Sequence, residues 1–305
     1  MTGLERSCAN ADATDWIATA PERGTSHGIE RIEARFAGHG YDPHRHDTYS
    51  LGITLAGVQT FDYRGARRDS VAGRAIVLHP DEVHDGRAGT EVGFRYRMLY
   101  LEPCRVREAL GARASSLPFV RGGVSDDPGL IAAVRSSLEE LSRPLESLEL
   151  DQTVLELSEA LLRLDPGAAS RSGRARASPS DPAVATAREL LESEAVRGVD
   201  SAELERATGV ERHELGRRFR RRYGTSPYRY LTLRRLALAR ERIGAGEALG
   251  EAAAACGFSD QAHMTRAFGR AYGVTPGRWR RLVEASDARG APSARTGPPT
   301  PGPRR

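Results

Sequence analysis

Three histidines have the residue type and the spacing for binding chemistry. His44 and His46 lie two positions apart in the segment Asp42-Pro43-His44-Arg45-His46-Asp47, and His84 closes a second segment, 78–84. Residues two apart on a strand point to the same side of it, so the first two imidazoles would face together and His84 could join them. Three converging imidazoles can bind a transition metal or hydrogen-bond a small molecule. A plain structural role for any one of them stays open.

Short β-type segments surround these histidines. Apolar runs are separated by Gly, Asp and Pro, and the segment Tyr63-Arg64-Gly65-Ala66 predicts a hairpin turn. Many short strands at this spacing favour a small β-barrel or jelly roll. The predicted strands span 29–36, 49–56, 58–63, 74–78 and 92–101.

Two helices are predicted after the strands. Residues 128–141 carry one apolar face, and residues 147–164 form a second amphipathic helix. In the second helix the apolar residues alternate in steps of four and three, a seam typical of helix pairing. The seam would pack either on the barrel of its own chain or against a second copy. It consists of Leu150, Val154, Leu157, Leu161 and Leu164.

The C-terminal third predicts two helix-turn-helix units. In the first, Asp200 can cap a helix over 201–208, Gly209 makes the turn, and a helix over 212–223 ends at Gly224. A long helix then begins at Pro227 behind Ser226 as its cap and runs to about residue 243.

The second unit spans 249–272 and is followed by a closing helix over 276–283. An alanine-rich helix ends at Gly257, Ser259 is the predicted cap of the next helix, and Gly273 ends that helix. Phe258, Met264 and Phe268 are predicted to form a small core. The opposite, open side suits a DNA major groove and carries Gln261, Ala262, His263, Arg266 and Arg270.

Charge divides the chain into two halves. Lysine is absent, so all 45 basic residues are arginine; residues 1–164 hold 19 arginines and 25 acidic residues, whereas 181–285 hold 19 and 14. A basic C-terminal half fits binding to nucleic acid. Three scattered cysteines argue against a disulfide framework or a zinc knuckle. With no membrane-length apolar run and no signal pattern, we expect a cytoplasmic, nucleoid-associated protein without a membrane partner.

Composition also marks the boundaries of the chain's parts. We expect a mobile N-terminus over 1–25, an N-terminal sheet domain over 26–105 and a helical region over 106–164. The stretch 165–180 is rich in Gly, Pro and small residues, as flexible linkers are. A helical domain over 181–285 and a disordered tail over 286–305 complete the chain.

The second helix-turn-helix unit contains a long motif: Cys256-Gly257-Phe258-Ser259-Asp260-Gln261, then His263, Arg266 and Phe268, and then Tyr272-Gly273 and Thr275-Pro276. This motif closely resembles the signature of the AraC/XylS transcription regulators. The two histidine segments also resemble the two edges of the cupin-like effector domain of that family, over residues 28–103. The expected fold is therefore α+β: a cupin-like barrel or jelly roll with following helices, and an all-α double helix-turn-helix domain.

The family resemblance implies roles for individual residues. It places DNA-reading positions at Arg212, His213 and Arg217 in the first unit, and at Gln261, Ala262, His263 and Arg266 in the second. It also implies a small-molecule effector, for which the candidate contacts are His44, His46, Tyr49, His84 and Arg95.

The first unit departs from the family pattern. Glu205 stands where an alanine is usual, Glu211 stands where a serine or threonine cap is usual, and Gly216 offers no side chain to a base. We therefore expect the second unit to carry at least as much of the sequence specificity as the first.

These observations predict a transcription regulator that binds promoter DNA and a small effector. The resemblance favours a homodimer through the leucine seam and favours activation, with RNA polymerase as a further partner. A catalytic cupin normally supplies a carboxylate shortly after its second histidine, where this chain has Tyr49, Ser50 and Leu51. We therefore expect no catalytic residue and no cofactor. We also expect no metal, although metal binding by these histidines without catalysis stays open. The alternatives are a metal-dependent cupin enzyme using His44, His46 and His84, and a non-specific architectural DNA binder.

Overall fold

The computed structural model describes residues 15–20, 29–114, 116–167 and 181–288. Most of the predicted linker and tail, and much of the predicted mobile N-terminus, lie outside these ranges. The described residues form nine strands: β1 Trp16–Thr19, β2 Glu30–Phe36, β3 His39–His44, β4 Tyr49–Tyr63, β5 Ala66–Val71, β6 Ala75–Leu78, β7 His84–Ala88, β8 Phe94–Leu101 and β9 Val124–Ser125.

The strands form one antiparallel, jelly-roll-like sheet that does not close within the described residues. Its main path runs β1-β2-β8-β4-β6-β9, and a second branch joins β3, β7 and β5 through the long strand β4. The predicted hairpin at Arg64-Gly65 is confirmed, since Tyr63 pairs with Ala66. The expected α+β fold is confirmed, with an open sheet in place of a closed barrel.

Strand β4 corrects the prediction of two separate strands over 49–56 and 58–63. The two segments are continuous because Gly57 adopts φ +70° and bends the strand without ending it. A side chain at Gly57 would lie 2.0 Å from the Gly93 carbonyl oxygen, so only glycine fits the bend.

Four strands that hydrophobic alternation did not predict form by pairing with neighbouring strands. Strands β3, β5 and β7 are rich in polar residues and glycine. Strand β1 lies within the stretch predicted to be mobile, and it is held by pairing with β2. Such strands carry too little local pattern to be found from the sequence.

Ten α-helices lie in the described residues, together with a short 3-10 turn at Gly111–Arg113. The helix predicted over 128–141 ends earlier, at Ser137, and the closing helix runs further, to Asp287. The helices are α1 Pro103–Leu110, α2 Pro128–Ser137, α3 Ser147–Leu164, α4 Pro182–Ser193, α5 Ser201–Thr208, α6 Arg212–Tyr223, α7 Pro227–Gly244, α8 Leu249–Ala255, α9 Gln261–Tyr272 and α10 Pro276–Asp287.

Side-chain caps define the helix-turn-helix units. Asp200 and Ser226 cap α5 and α7, as predicted. Glu211 caps α6 by accepting from the backbone N–H groups of residues 213 and 214, so a glutamate serves where a shorter cap is usual. The predicted cap Ser259 is wrong: the Asp260 carboxylate caps α9, and the Ser259 hydroxyl contacts the His263 ring instead.

The leucine seam of α3 packs inside its own chain. Val154, Leu157 and Leu161 are buried in a cluster with α1, α2 and one face of the sheet. The leucine seam therefore does pair with other helices, as predicted, and these helices belong to the same chain. This packing covers the face that was expected to form a dimer interface. A dimer would have to use another surface.

The second helix-turn-helix unit covers the open face of the sheet. Met264, Phe268 and Trp279 join one apolar cluster with sheet residues that include Phe36 and Met98. The main chains also meet: the Asp42 N–H donates to the Gly273 carbonyl at 2.8 Å, and the Arg45 N–H donates to the Arg270 carbonyl at 3.2 Å. An unclosed sheet would otherwise leave this apolar face in water.

Arginines of the helical half reinforce this docking. They pair with acidic residues of the sheet half and its first helix, so the charge asymmetry of the sequence is partly used within the chain. The pairs are Arg240–Glu30 at 2.8 Å, Arg278–Asp15 at 3.5 Å, Arg234–Glu102 at 3.4 Å, Arg229–Asp81 at 3.7 Å and Arg222–Glu108 at 2.5 Å.

A matched pair of glycine substitutions tests the docking. Gly209 and Gly273 both follow a helix with φ +67°, so alanine at either adds similar backbone strain of roughly 1–2 kcal/mol. A Cβ at Gly209 meets nothing within 4 Å, whereas at Gly273 it would lie 2.6 Å from His44 Nδ1 and 2.7 Å from the Asp42 carbonyl oxygen. We expect Gly273→Ala to lower the free energy of unfolding more than Gly209→Ala.

The interface can be followed directly. The chain has two tryptophans, Trp16 and Trp279, on the contacting elements β1 and α10. Gly273→Ala should change their fluorescence and speed hydrogen exchange at the Asp42 amide, while Gly209→Ala should leave both unchanged. Equal effects of the two variants would contradict the docking described here.

Candidate effector cavity and DNA-reading faces

A cavity of about 590 Å³ lies where the sheet meets the second helix-turn-helix unit. Strand residues form one wall, and α7, the end of α9 and α10 form the other. Its surface mixes apolar, aromatic and charged side chains, as small-molecule sites do. Ile32, Leu78 and Met98 come from the sheet, and Leu233, Ala237 and Trp279 come from the helices.

The three sequence-predicted histidines meet at this cavity. His44 and His84 face each other across paired strands β3 and β7, with ring centroids 4.3 Å apart. The His46 ring lies 4.8 Å from the His84 ring. In the described residues, this is where three potential metal-ligating side chains converge, with ligand atoms within 4.8 Å of one another.

Burial sets the charge of these rings. It lowers the pKa of His44 to about 4 and that of His46 to about 3, and it holds the pKa of His84 well below its usual value. Repulsion between the neighbouring rings lowers the pKa of His46 and His84 further. All three imidazoles are therefore neutral at pH 7, and each keeps one nitrogen lone pair.

A partly buried ion pair crosses the cavity between the two halves of the chain. Arg240 of α7 contacts Glu30 of β2, and its guanidinium also lies over the rings of Tyr272 and Trp279 at 5.2 and 5.3 Å. On the sheet side of the cavity, the hydroxyls of Tyr41 and Tyr96 form a 2.5 Å hydrogen bond. Burial raises the pKa of Tyr96 well above its usual range, so its hydroxyl keeps its proton.

Two predicted effector contacts lie away from this cavity. Tyr49 is buried in the cluster behind the sheet, where its hydroxyl donates to the Pro118 carbonyl. Arg95 is half-exposed and pairs with Glu33 at 3.8 Å. Successive strand residues face opposite sides of a sheet, and this alternation places both side chains outside the cavity. Neither belongs to the site as the structure assembles it.

Several residues that line the cavity were not predicted from the sequence as site residues. Glu30, Tyr41, Tyr96 and Arg240 have no shared motif and come from distant segments. The alternation of Phe94, Tyr96 and Met98 did mark one sheet face as buried, but not which helices would cover it. No local signal pointed to α7.

The predicted DNA-reading positions of the first unit share an exposed surface on α6. Arg212, His213 and Arg217 are exposed, and Gly216 beside them faces open space. The Arg217 guanidinium is held by the Glu214 carboxylate at 2.8 Å, so it would have to leave this ion pair to contact a base. The Arg212 backbone N–H donates to Glu205, the residue that departs from the family pattern.

The second unit presents its predicted positions on α9. Gln261, Ala262 and Arg266 are exposed, and no ion pair is found for Arg266 among the described residues. His263 is half-buried: its ring packs edge-on against Phe258 at 5.4 Å, and its Nδ1 lies 3.1 Å from the Ser259 hydroxyl. His263 is thus partly a packing residue, whereas Arg266 is free to reach a groove.

The ion pair at the cavity is open to mutational test. Glu30→Gln would leave the Arg240 charge without its partner in a site where its side chain is 21 % exposed. We expect the free energy of unfolding to fall by about 3 kcal/mol, the low end for breaking a buried pair. Glu30→Gln combined with Arg240→Met should recover most of the loss in urea denaturation.

The exposed Glu91→Gln variant is the charge-matched control and should change stability little. A double variant less stable than Glu30→Gln would show that the pair itself is not the stabilising interaction.

Comparison with known proteins agrees with this architecture. Residues 26–158 match the AraC-like ligand binding domain, and residues 204–282 match a helix-turn-helix domain. No helix in the described ranges has the length and apolar character needed to cross a lipid bilayer.

Several curated relatives are transcription regulators. The activator RhaR of Pectobacterium atrosepticum is 32 % identical over 154 residues, which cover 48 % of this chain and 52 % of the relative. The regulator GlxA of Rhizobium meliloti is 25 % identical over 280 residues, covering 90 % and 74 %. The chain spans about a third to a half of the length of the first relatives that it matches.

A solved structure shares the fold over most of the chain. ToxT of Vibrio cholerae aligns with a TM-score of 0.58 at 11 % identity and covers 84 % of this chain and 99 % of its own. ToxT has also been solved bound to an unsaturated fatty acid, with a TM-score of 0.58 at 11 % identity, covering 86 % of this chain and 98 % of that one. The matches to the AraC-like ligand binding domain and to the helix-turn-helix domain, together with the curated regulators, show that the chain belongs to the AraC/XylS family of transcriptional regulators.

Proposed function

We propose that this regulator binds promoter DNA in a sequence-specific way and responds to a small organic effector bound in the cavity between its two halves. The observation that carries the proposal is the position of the cavity. Its walls come from the sheet on one side and from α7, the end of α9 and α10 on the other, so a ligand that fills it contacts both halves of the chain. Occupancy would therefore bias how the DNA-binding unit is held.

The proposed response follows from linkage. An effector shifts an arrangement only if it binds two arrangements with different affinity. A molecule that contacts both cavity walls binds the docked arrangement more tightly than an undocked one, in which half of its contacts are lost. By reciprocity, an effector that favours docking changes the affinity for DNA wherever DNA binding requires the second unit to move.

The effector we propose is a small molecule with an apolar body and a polar group. Leucine, methionine and tryptophan side chains would cover the body, while histidine, tyrosine and arginine side chains would bind the polar group. The unsaturated fatty acid bound to ToxT is a ligand of this general kind, in a protein of the same fold.

We further propose a cytoplasmic, nucleoid-associated homodimer that activates transcription together with RNA polymerase. Because the leucine seam is used inside the chain, the dimer would use the outer face of α3, where Leu148 is 82 % exposed. The proposed role is regulation without catalysis, because the relatives described above are transcription regulators.

DNA recognition can be tested without knowing the effector. Selection from random duplexes with the purified chain should enrich two boxes about one helical turn, roughly 34 Å, apart. Arg266→Ala should weaken binding to the selected site by about 1–3 kcal/mol at fixed salt and relax base preference at one position. Arg217→Ala should cost no more, because Arg217 must first leave Glu214.

The matched control is Arg135→Ala, which removes the same charge from an exposed position on α2. It should leave DNA binding unchanged. A loss confined to Arg217→Ala would contradict the larger role of the second unit, and equal binding to selected and random DNA would refute sequence-specific recognition.

Cavity filling tests the effector site. Ala237 lines the cavity from α7, so Ala237→Phe should occupy part of its volume. Fatty acids, sugars and aromatic acids would be screened for a rise in melting temperature. A ligand at about 100 times its Kd should add about 2.7 kcal/mol to wild-type stability and less to the variant.

Ala254→Phe makes the same change at an exposed position on α8 and should respond like wild type. A ligand that stabilises wild type and Ala237→Phe equally would bind elsewhere, which would remove the cavity from the proposal.

A further inference from the structure

The three cavity histidines are oriented in the same way. Each ring places its Nδ1 close to a backbone carbonyl oxygen two residues away in sequence. His44 Nδ1 lies 2.8 Å from the Asp42 oxygen, His46 Nδ1 lies 3.0 Å from the Thr48 oxygen, and His84 Nδ1 lies 3.0 Å from the Glu82 oxygen.

This pattern assigns the tautomer of all three rings. A carbonyl oxygen can only accept a hydrogen bond, so each Nδ1 carries the hydrogen and each Nε2 keeps a lone pair. Proteins orient metal-binding imidazoles in the same way: the ring nitrogen that does not bind the metal donates its N–H to a carbonyl oxygen. The ligand atoms of the three residues lie within 4.8 Å of one another.

We propose that His44, His46 and His84 bind one divalent transition-metal ion through their Nε2 atoms. Three imidazoles without a carboxylate in the group suit Zn²⁺, Co²⁺, Ni²⁺ or Cu²⁺ and do not suit Mg²⁺ or Ca²⁺. Three protein ligands leave one coordination position, and because all three histidines line the cavity, that position is available to a water or an effector atom. This site goes beyond the proposed function, and its occupation does not depend on that function.

Ser50 is the one described group that competes for these lone pairs. Its hydroxyl lies 2.9 Å from His46 Nε2 and can donate to it. Metal binding would require this hydroxyl to turn away from the ring. Removing the hydroxyl should therefore preserve or tighten metal binding, which distinguishes the proposed site from a purely hydrogen-bonded cluster.

The metal site lies against the C-terminal end of α9. His44 Nδ1 contacts the Asp42 carbonyl, and the Asp42 N–H donates to the carbonyl of Gly273, where α9 ends. A bound ion would fix His44 and, through Asp42, support the docking of α9 on the sheet. The metal would thus stabilise the docked arrangement of the second helix-turn-helix unit.

Metal titration of the full chain tests the site. Protein treated with chelator and dialysed would be titrated with Zn²⁺ by calorimetry and with Co²⁺ by visible absorption. We expect one ion per chain and a cobalt spectrum typical of nitrogen ligands in a four-coordinate site. His44→Gln and His84→Gln should each weaken Zn²⁺ affinity by more than the roughly 10–100-fold that the loss of a supporting contact produces.

Three controls keep the outcome decisive. His39→Gln changes an exposed histidine on the same strand as His44, and His79→Gln changes a buried one outside the group that contacts Tyr63. Both should bind Zn²⁺ as wild type does, and Ser50→Ala should bind it at least as tightly. Zn²⁺ should also shift the fluorescence of Trp16 and Trp279 in wild type but not in His84→Gln.

Absence of one-to-one binding of both Zn²⁺ and Co²⁺ by wild type would overturn the proposal, even if a histidine variant failed to fold. Retention of wild-type affinity by both His44→Gln and His84→Gln would overturn it as well. Zn²⁺ binding without a fluorescence shift would keep the site and overturn its support of docking. None of these outcomes depends on operator binding, so failure of the regulator proposal would be seen separately.

Discussion

The open sheet of the N-terminal half needs a cover, and the second helix-turn-helix unit provides it. Phe36 and Met98 on one side and Phe268 and Trp279 on the other belong to one apolar cluster. Because apolar burial is the main favourable term in folding, separating the two halves would expose this cluster to water. The cavity and the placement of α9 depend on that contact.

Ion pairs between the two halves of the chain fix their relative orientation at this contact. Burying Arg240 and Glu30 together requires each to keep its partner, since one charge left alone in that environment is strongly unfavourable. The more exposed pairs, such as Arg229–Asp81, contribute little individually. A hydrophobic surface alone tolerates many orientations, whereas a set of pairs at fixed positions selects one. The arginines thus align the unit that apolar burial holds.

The same arrangement places the cavity histidines next to α9. The cavity histidines lie at strands β3 and β7, and the main chain beside His44 is hydrogen-bonded to the end of α9. A group bound at these histidines would therefore lie one residue from a main-chain hydrogen bond to α9, the Arg45 N–H to the Arg270 carbonyl. Arg212 on α6 and Arg266 on α9 remain exposed in this docked arrangement.

The sequence by itself determined the parts whose signals are local. Caps at Asp200 and Ser226, the hairpin at Gly65, and the apolar periodicity of α3 and α9 are decided within a few residues, because capping, turn chemistry and amphipathicity are short-range. The spacing of His44 and His46 likewise predicted that both side chains lie on one face of their strand.

Tertiary structure alone decided the rest. The closure of the cavity by α7, the turning of Tyr49 and Arg95 away from it, and the use of the leucine seam inside the chain depend on which surfaces meet. Those surfaces come from segments far apart in sequence, and no periodicity or motif in one segment indicates which other segment will pack against it.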